Sequence, residues 1–126
     1  MYSEKIMEEF YNPTNYGVIK GASGVGKIVS DVGSEIIKIY IKVEDERVVE
    51  AQFQTYGGVV AIALTSIATN MMIGKSVSAC EKFDTNALLQ VAGEIPENKM
   101  YLAQAVVLAV RDAVADYRDK KSKNED

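Results

Sequence analysis

The side chains that most often carry chemistry in proteins are scarce in this 126-residue sequence. It contains no histidine, the commonest general acid–base and metal ligand. Its single cysteine, Cys80, cannot form an internal disulfide. One thiol also cannot hold zinc or an iron–sulfur cluster, since these take about four nitrogen or sulfur ligands. We therefore expect no catalytic residue and no metal ligand set, which argues against a metalloenzyme or a histidine-dependent hydrolase.

Cys80 lies in the segment Ser78–Lys82, which is predicted to be a short helix. Such a thiol is either redox-active or shared with a cluster, or it is a small apolar packing residue, and we favour packing. Four glycines come in two close groups without the spacing and the Lys-Ser/Thr ending of a phosphate-binding loop, so we predict turns there. These are Gly24 and Gly26, and Gly57 and Gly58.

Composition indicates an ordinary globular protein, with 48% hydrophobic and 25% charged residues. The length predicts one domain over residues 1–120, followed by a charged tail at 121–126. No apolar run reaches the roughly 18 residues of a membrane span, and the first residues lack the layout of a secretion signal, so we expect a cytoplasmic protein. The net charge of −4 argues against nucleic acid as a partner.

Three strands are predicted in the first half of the chain, at Val25–Val29, Ile36–Val43 and Val48–Tyr56. Alternation gives the second and third strands one apolar and one polar face, which is typical of an antiparallel sheet covered on one side. A hairpin loop at Glu44–Arg47 joins these two strands, although it lacks the glycine that a tight turn prefers. The residues predicted to share the covered face are Ile37, Ile39, Ile41 and Val43, and on the third strand Val49, Ala51, Phe53 and Thr55.

Helices precede and follow these strands. Ser3 is predicted to cap a short first helix that ends at Asn12-Pro13. A buried helix follows the sheet and ends at Gly74, and a long amphipathic helix closes the chain. The predicted ranges after the sheet are 59–73, a short helix through Lys82, 86–92 and 99–120. The order predicts an α+β fold, a three-stranded antiparallel sheet with one face covered by helices.

Several separated motifs resemble one known family. The opening Met1–Gly17, the strand Ile36–Val43, the run Phe53–Ser66, Gly74-Lys75 and the end of the last helix near Asp116-Tyr117 occur in the order found in the amino-terminal domains of IscU and NifU. These proteins are scaffolds for iron–sulfur cluster assembly. The resemblance covers residues 1 to about 120 and implies the same fold.

The resemblance also implies that the family's cluster site is altered in this chain. The family builds a cluster, usually 2Fe–2S, on three cysteines, whose positions carry Gly33, Gly58 and Leu102. An aspartate that tunes cluster release corresponds to Glu35, and a histidine beside the third cysteine corresponds to Tyr101. Glycine and leucine donate nothing to a metal, so we expect no bound cluster as cofactor.

The neighbouring positions allow two interpretations each. Glu35 is either a residual metal contact or a solvated carboxylate at a strand end, and we favour the second. Tyr101 and Leu102 form a docking patch, or they pack into the space of an absent cluster. Pro96 and Lys99 match part of a motif that a chaperone recognises in some family members, or they belong to a loop that positions the last helix.

These expectations favour a binding module over an enzyme. We expect a degenerate paralogue that contacts a cysteine desulfurase or another assembly scaffold, through Lys99 and a helix face that includes Tyr2, Ile6 and Phe10. The alternatives are a small-ligand carrier that uses the altered site, and iron or cluster handling with ligands supplied by another subunit. The oligomeric state stays open.

Overall fold

The computed structural model describes residues 2–124. One helix, α1, precedes a three-stranded antiparallel sheet in the order β1-β2-β3, and four helices follow it. This confirms the predicted α+β class. The bounds are α1 Glu4–Tyr11, β1 Gly24–Val29, β2 Ile36–Glu44, β3 Arg47–Tyr56, α2 Val59–Met72, α3 Val77–Glu81, α4 Thr85–Ala92 and α5 Met100–Asn124.

The core lies between one face of the sheet and the helices α2 and α5. Ile37, Ile39 and Ile41 are fully buried on this inner face, because side chains two residues apart on a strand point the same way. Helix α2 is apolar nearly all round and lies between the sheet and α1, which explains why it shows no single hydrophobic stripe.

Helix α5 packs unusually close to the edge strand β1. A Cβ atom on Gly24 would lie 2.3 Å from the Ala113 carbonyl oxygen, and one on Gly26 would lie 2.2 Å from the Ala109 carbonyl oxygen. Any larger residue would push the helix away from the strand. The prediction of a turn at these two glycines is therefore wrong: they lie in the strand, and contact with the helix backbone requires them.

A β-bulge changes which side of β3 is buried. Lys42 pairs with Glu50 and Val43 pairs with Val48, so Val49 is an extra residue that opposes none on β2. Val48 is consequently buried and Val49 is 43% exposed. The prediction that Val49 shares the covered face is wrong, because the extra residue shifts the alternation.

The β2–β3 hairpin closes through Asp45 and Glu46, which have φ values of 52° and 60°. A two-residue turn with both φ values positive usually contains glycine or asparagine. Contacts from α5 hold this turn instead: the Tyr117 hydroxyl donates to the Glu46 carboxylate, and Arg118 and Lys121 form ion pairs with it at 3.7 and 2.9 Å.

The residues predicted to end two helices have the conformations that such positions require. Ser3 accepts from the Ile6 amide, and Gly74 has a φ of 87° after α2. Helix α5 continues to Asn124, so residues 121–124 of the predicted tail are helical, and residues 125 and 126 lie outside the described part. The division into domain and tail stays a prediction. None of the helices within residues 2–124 is both long enough and apolar enough to cross a membrane.

Candidate functional site

Three segments that are distant in sequence meet at one end of the molecule. They are the loop between β1 and β2, the entry to α2 and the first turn of α5. A Cβ atom on Gly33 would lie 2.5 and 2.6 Å from the two Glu35 carboxylate oxygens, and 2.7 Å from the Tyr101 hydroxyl. A Cβ on Gly57 would lie 2.9 Å from Glu35 Cγ. The Glu35 side chain therefore lies directly against Gly33, the position that the family resemblance implies is the first altered ligand position.

Glu35 is buried, with 9% of its surface exposed, so the interpretation of a solvated strand-end carboxylate is wrong. The Tyr101 hydroxyl donates to Glu35 Oε2 at 2.8 Å, while Oε1 has no hydrogen-bond partner among the described residues. Burial raises the pKa of Glu35. Hydrogen bonds, chiefly from Tyr101, and the charge of Lys99 lower it by more, so the pKa lies below its ordinary value. The same bond raises the pKa of Tyr101.

A cavity of about 200 Å³ adjoins this pair. Gly58 and Leu102, the other two altered ligand positions, line it together with Glu35, Lys99 and Tyr2. Gly58 is also the N-cap of α2. Because glycine has no side chain, no side-chain cap accepts a hydrogen bond from the first amides of that helix, whose residues line the cavity. The structure thus brings all five positions implied by the resemblance into one site.

The donor set of this site does not fit an iron–sulfur cluster. Gly33, Gly58 and Leu102 offer no ligand atom, and Glu35 is a single carboxylate already bonded to Tyr101. Within residues 2–124 no group of three or more His, Cys, Asp or Glu side chains could hold a metal ion. Leu102 is 2% exposed and packs into the core, which favours packing over docking for this residue.

Cys80 lies away from this site, on α3, and its side chain belongs to the core. It is 4% exposed, and burial raises the pKa of its thiol to about 11. The thiolate is the nucleophile and metal ligand, so a thiol with this pKa is unreactive near neutral pH. The structure supports the interpretation of Cys80 as a packing residue.

The expected contact face of α1 is only partly accessible. Ile6 is fully buried, which removes it from that face, because its side chain packs in the core. Tyr2 and Phe10 are half-buried against the core, and Tyr11 is 73% exposed. Lys99 is half-buried at the cavity.

Sequence reasoning missed a second surface, on the outer face of the sheet. A shallow groove of about 290 Å³ there is lined by Lys27 and Lys38 together with the aromatic residues Tyr16 and Tyr56. The surface depends on the strand register, which sets the two lysines opposite each other and is seen only in the structure. The alternation alone indicated only a polar face.

Comparison with known proteins gives concordant results. A family model described as the NifU-like N terminal domain matches residues 1–124. The iron–sulfur cluster assembly scaffold protein IscU 1 of Archaeoglobus fulgidus is 39% identical over 123 residues, which span 98% of this chain and 80% of that protein. The protein named iron–sulfur cluster assembly scaffold protein IscU in Escherichia coli is 32% identical over 124 residues, covering 95% and 96% of the two chains.

A solved structure shows the same fold. The crystal structure of a nitrogen-fixing NifU-like protein (N-terminal) from Brucella abortus superposes with a TM-score of 0.73 and covers 94% of each chain. Its sequence is only 17% identical, so this likeness concerns the fold alone.

Proposed function

The chain belongs to the family of NifU-like N terminal domains, and from this premise we propose that it is a member that holds no cluster itself and acts by binding other components of iron–sulfur assembly. The partners proposed are a cysteine desulfurase or another assembly scaffold. The role involves contact and no catalytic step.

One observation carries this proposal. Glu35 and Tyr101 are bonded to each other across the first altered ligand position, and Gly33 leaves the room that they need. Gly33, Glu35 and Tyr101 therefore form one mutually compatible arrangement where the family carries cluster ligands. At Gly33 the site is thus filled by two side chains bonded to each other, and a continuous hydrophobic core surrounds it.

The experiment has two parts. Tagged chain is used to capture proteins from its own cell extract, and capture of a desulfurase or a scaffold supports the proposal. Purified chain is also incubated anaerobically with ferrous iron and sulfide, beside a family member that carries the three cysteines as positive control. A colourless, iron-free product is expected. Failure to capture either partner, or to alter its activity, contradicts the proposed role, and a coloured oligomer would indicate ligands from another subunit.

The cavity supports a second candidate, a small-ligand carrier. Its volume of about 200 Å³ suits only a small molecule, and Glu35 Oε1 is a buried acceptor without a donor. A thermal-shift comparison of small amines with their acetylated forms tests this candidate. Stabilisation by the amines that is absent in Glu35→Gln supports it, and equal melting temperatures with and without them contradict it.

A further inference from the structure

The outer face of the sheet carries two like charges in register. Lys27 on β1 lies directly opposite Lys38 on β2, and the next residue in this row is Gln54 on β3. Like charges directly opposite each other destabilise an antiparallel pair. A fold with this arrangement therefore has a local repulsion that an anionic partner would relieve.

Within the described residues this pair of lysines has no ion-pair partner. The carboxylate of Asp112 bonds the backbone amide of Lys27. Lys38 Nζ lies 5.2 Å from the centre of the Tyr40 ring, a cation–π contact that is weaker than an ion pair. By contrast Lys42, farther along β2, lies 3.7 Å from the Glu44 carboxylate.

An apolar row lies beside the charged row. Val29, Ile36 and Tyr56 are in register across the three strands, and Val29 and Tyr56 are 56% and 76% exposed. Ile36 and Tyr56 line the groove together with the two lysines. Isolated exposed apolar residues are common, but an apolar row next to a charged row is a feature of binding surfaces.

We propose that this outer-face patch, formed by the rows Lys27–Lys38–Gln54 and Val29–Ile36–Tyr56 with Tyr16 at its side, docks an acidic amphipathic helix of a partner protein. The two rows are about 7 Å apart, since they lie two residues apart along each strand. A helix about 10 Å wide that crosses the strands places an apolar stripe on one row and an acidic stripe on the other. Charge complementarity selects an acidic partner, although the chain itself has a net charge of −4.

This inference rests on the proposed function, because both assume that the chain acts by binding other proteins. It adds which surface binds and which class of partner it binds. The patch is separate from the altered ligand site, so the two proposals fail separately. Capture of a desulfurase or scaffold tests the function, and binding of a defined peptide to this face tests the inference.

The test uses a fluorescein-labelled peptide of about 18 residues, five helical turns, with leucines on one face and glutamates beside them. A second peptide carries lysine at every glutamate position. Each is titrated with the full chain, with K27E/K38E and with the matched control K75E/K82E, which makes the same change in net charge at exposed positions elsewhere. Fluorescence anisotropy gives the Kd values.

The acidic peptide is expected to bind the full chain, with a Kd that rises about tenfold or more in K27E/K38E and little in the control. The lysine peptide is expected not to bind. Amide shifts in NMR spectra are expected at Lys27, Lys38 and Gln54. Circular dichroism verifies folding of each variant, and K27Q/K38Q replaces the charge-reversed protein if it does not fold.

Several results would overturn the proposal. These are no binding of the acidic peptide, equal binding of both peptides, or equal weakening in the two double variants. Self-association in sedimentation that K27E/K38E abolishes would identify a second copy of this chain as the occupant. Binding to vesicles of phosphatidylserine and phosphatidylcholine with the same mutational pattern and equal strength would identify a membrane surface instead.

Discussion

At the residue scale, Gly33 and Glu35 depend on each other. The Glu35 carboxylate lies where a side chain at position 33 would begin, and Tyr101 holds it there. A change at one of these residues therefore alters the others. The altered site behaves as a unit of three residues, and single substitutions in it cannot be interpreted independently.

Gly33→Ala is expected to lower the free energy of unfolding by about 1–2 kcal/mol, because the new methyl group displaces the Glu35 carboxylate. In a Glu35→Ala background the same change is expected to have a clearly smaller effect. Urea denaturation of the four proteins measures this coupling. Gly58→Ala is the control, since it meets open space and loses only an N-cap preference of about 0.5 kcal/mol. Equal effects in both backgrounds would contradict the coupling.

Glu35 also predicts a dependence of stability on pH. Its pKa in the fold lies below its ordinary value of 4.5, so its contribution is present above that pH and is lost as pH falls through the folded value. Glu35→Gln is expected to reduce the loss of stability on acidification below about pH 4.5. Tyr101→Phe removes the largest cause that lowers this pKa, so the folded pKa rises toward that of the unfolded chain and the loss of stability on acidification is expected to become smaller.

Melting temperatures measured from neutral pH to pH 3 test this dependence. The control is Glu94→Gln, at an exposed position away from the site. A profile for Glu35→Gln that is parallel to the wild-type profile at every pH would show that this carboxylate contributes nothing.

The burial of Glu35 could not be predicted from the local sequence. A carboxylate at the start of a strand is usually solvated. Its true environment depends on Tyr101, which is 66 residues later. The family resemblance implied that Gly33, Gly58 and Leu102 share one site, but it gave no information on what fills the space between them, because that is set by side-chain packing.

At the element scale, α5 organises the molecule. Its first turn supplies Tyr101 and Leu102 to the altered site, its middle packs on the glycines of β1, and its last turns hold the hairpin through Glu46. Its carboxylates also reach the edge of the sheet, where Asp116 accepts from the Val25 amide and Asp112 from the Lys27 amide. These bonds occupy backbone donors that an edge strand otherwise leaves open.

Asp112→Ala is expected to leave the Lys27 amide at the sheet edge without its hydrogen-bond acceptor. We expect faster hydrogen exchange of that amide and a greater tendency of the chain to associate through its edge strands. NMR-detected exchange and light scattering at increasing concentration measure these effects. Asp119→Ala is the matched control, because it removes a carboxylate of the same helix that pairs only with Lys123 in the described structure. Unchanged exchange at Lys27 would contradict the role given to Asp112.

Regular elements were predictable where the apolar pattern was regular. The alternation in β2 and the caps at Ser3 and Gly74 identified the elements and their ends. The bulge at Val49 was not predictable, because valine fits a regular strand equally well and the extra residue is visible only in the pairing. The tight turn at Asp45-Glu46 also lacks a local signal, since helix α5 supplies its support.

At the scale of the whole molecule, the altered ligand positions come from three different elements. Gly33 lies in the loop before β2, Gly58 caps α2, and Leu102 lies in the first turn of α5. The fold therefore brings these three positions to one end of the molecule, and the side chains of Glu35 and Tyr101 occupy the space beside Gly33. Whether these two side chains obstruct cluster binding can be tested directly.

The triple variant G33C/G58C/L102C is expected to recover little cluster on anaerobic reconstitution. The Glu35 carboxylate and the Tyr101 hydroxyl stand within 2.7 Å of where the first new side chain would begin. Adding E35D and Y101H is expected to raise the yield several-fold, since both obstructing groups are shortened or replaced and a histidine ligand is supplied. Iron and sulfide content per chain, with the visible spectrum, measures the yield. Equal yields from the two proteins would show that Glu35 and Tyr101 do not obstruct the site.

The contact of α5 with β1 has a consequence for the order in which the protein can fold during synthesis. Val25 is bonded to a residue 91 positions later, and Lys27 to one 85 positions later. Until residues 100–124 have left the ribosome, the growing chain has an open edge at β1, and the part of the apolar sheet face that α5 covers is exposed. The native state therefore cannot be completed before residues 100–124 are synthesised, and until then the nascent chain exposes apolar surface that α5 later covers.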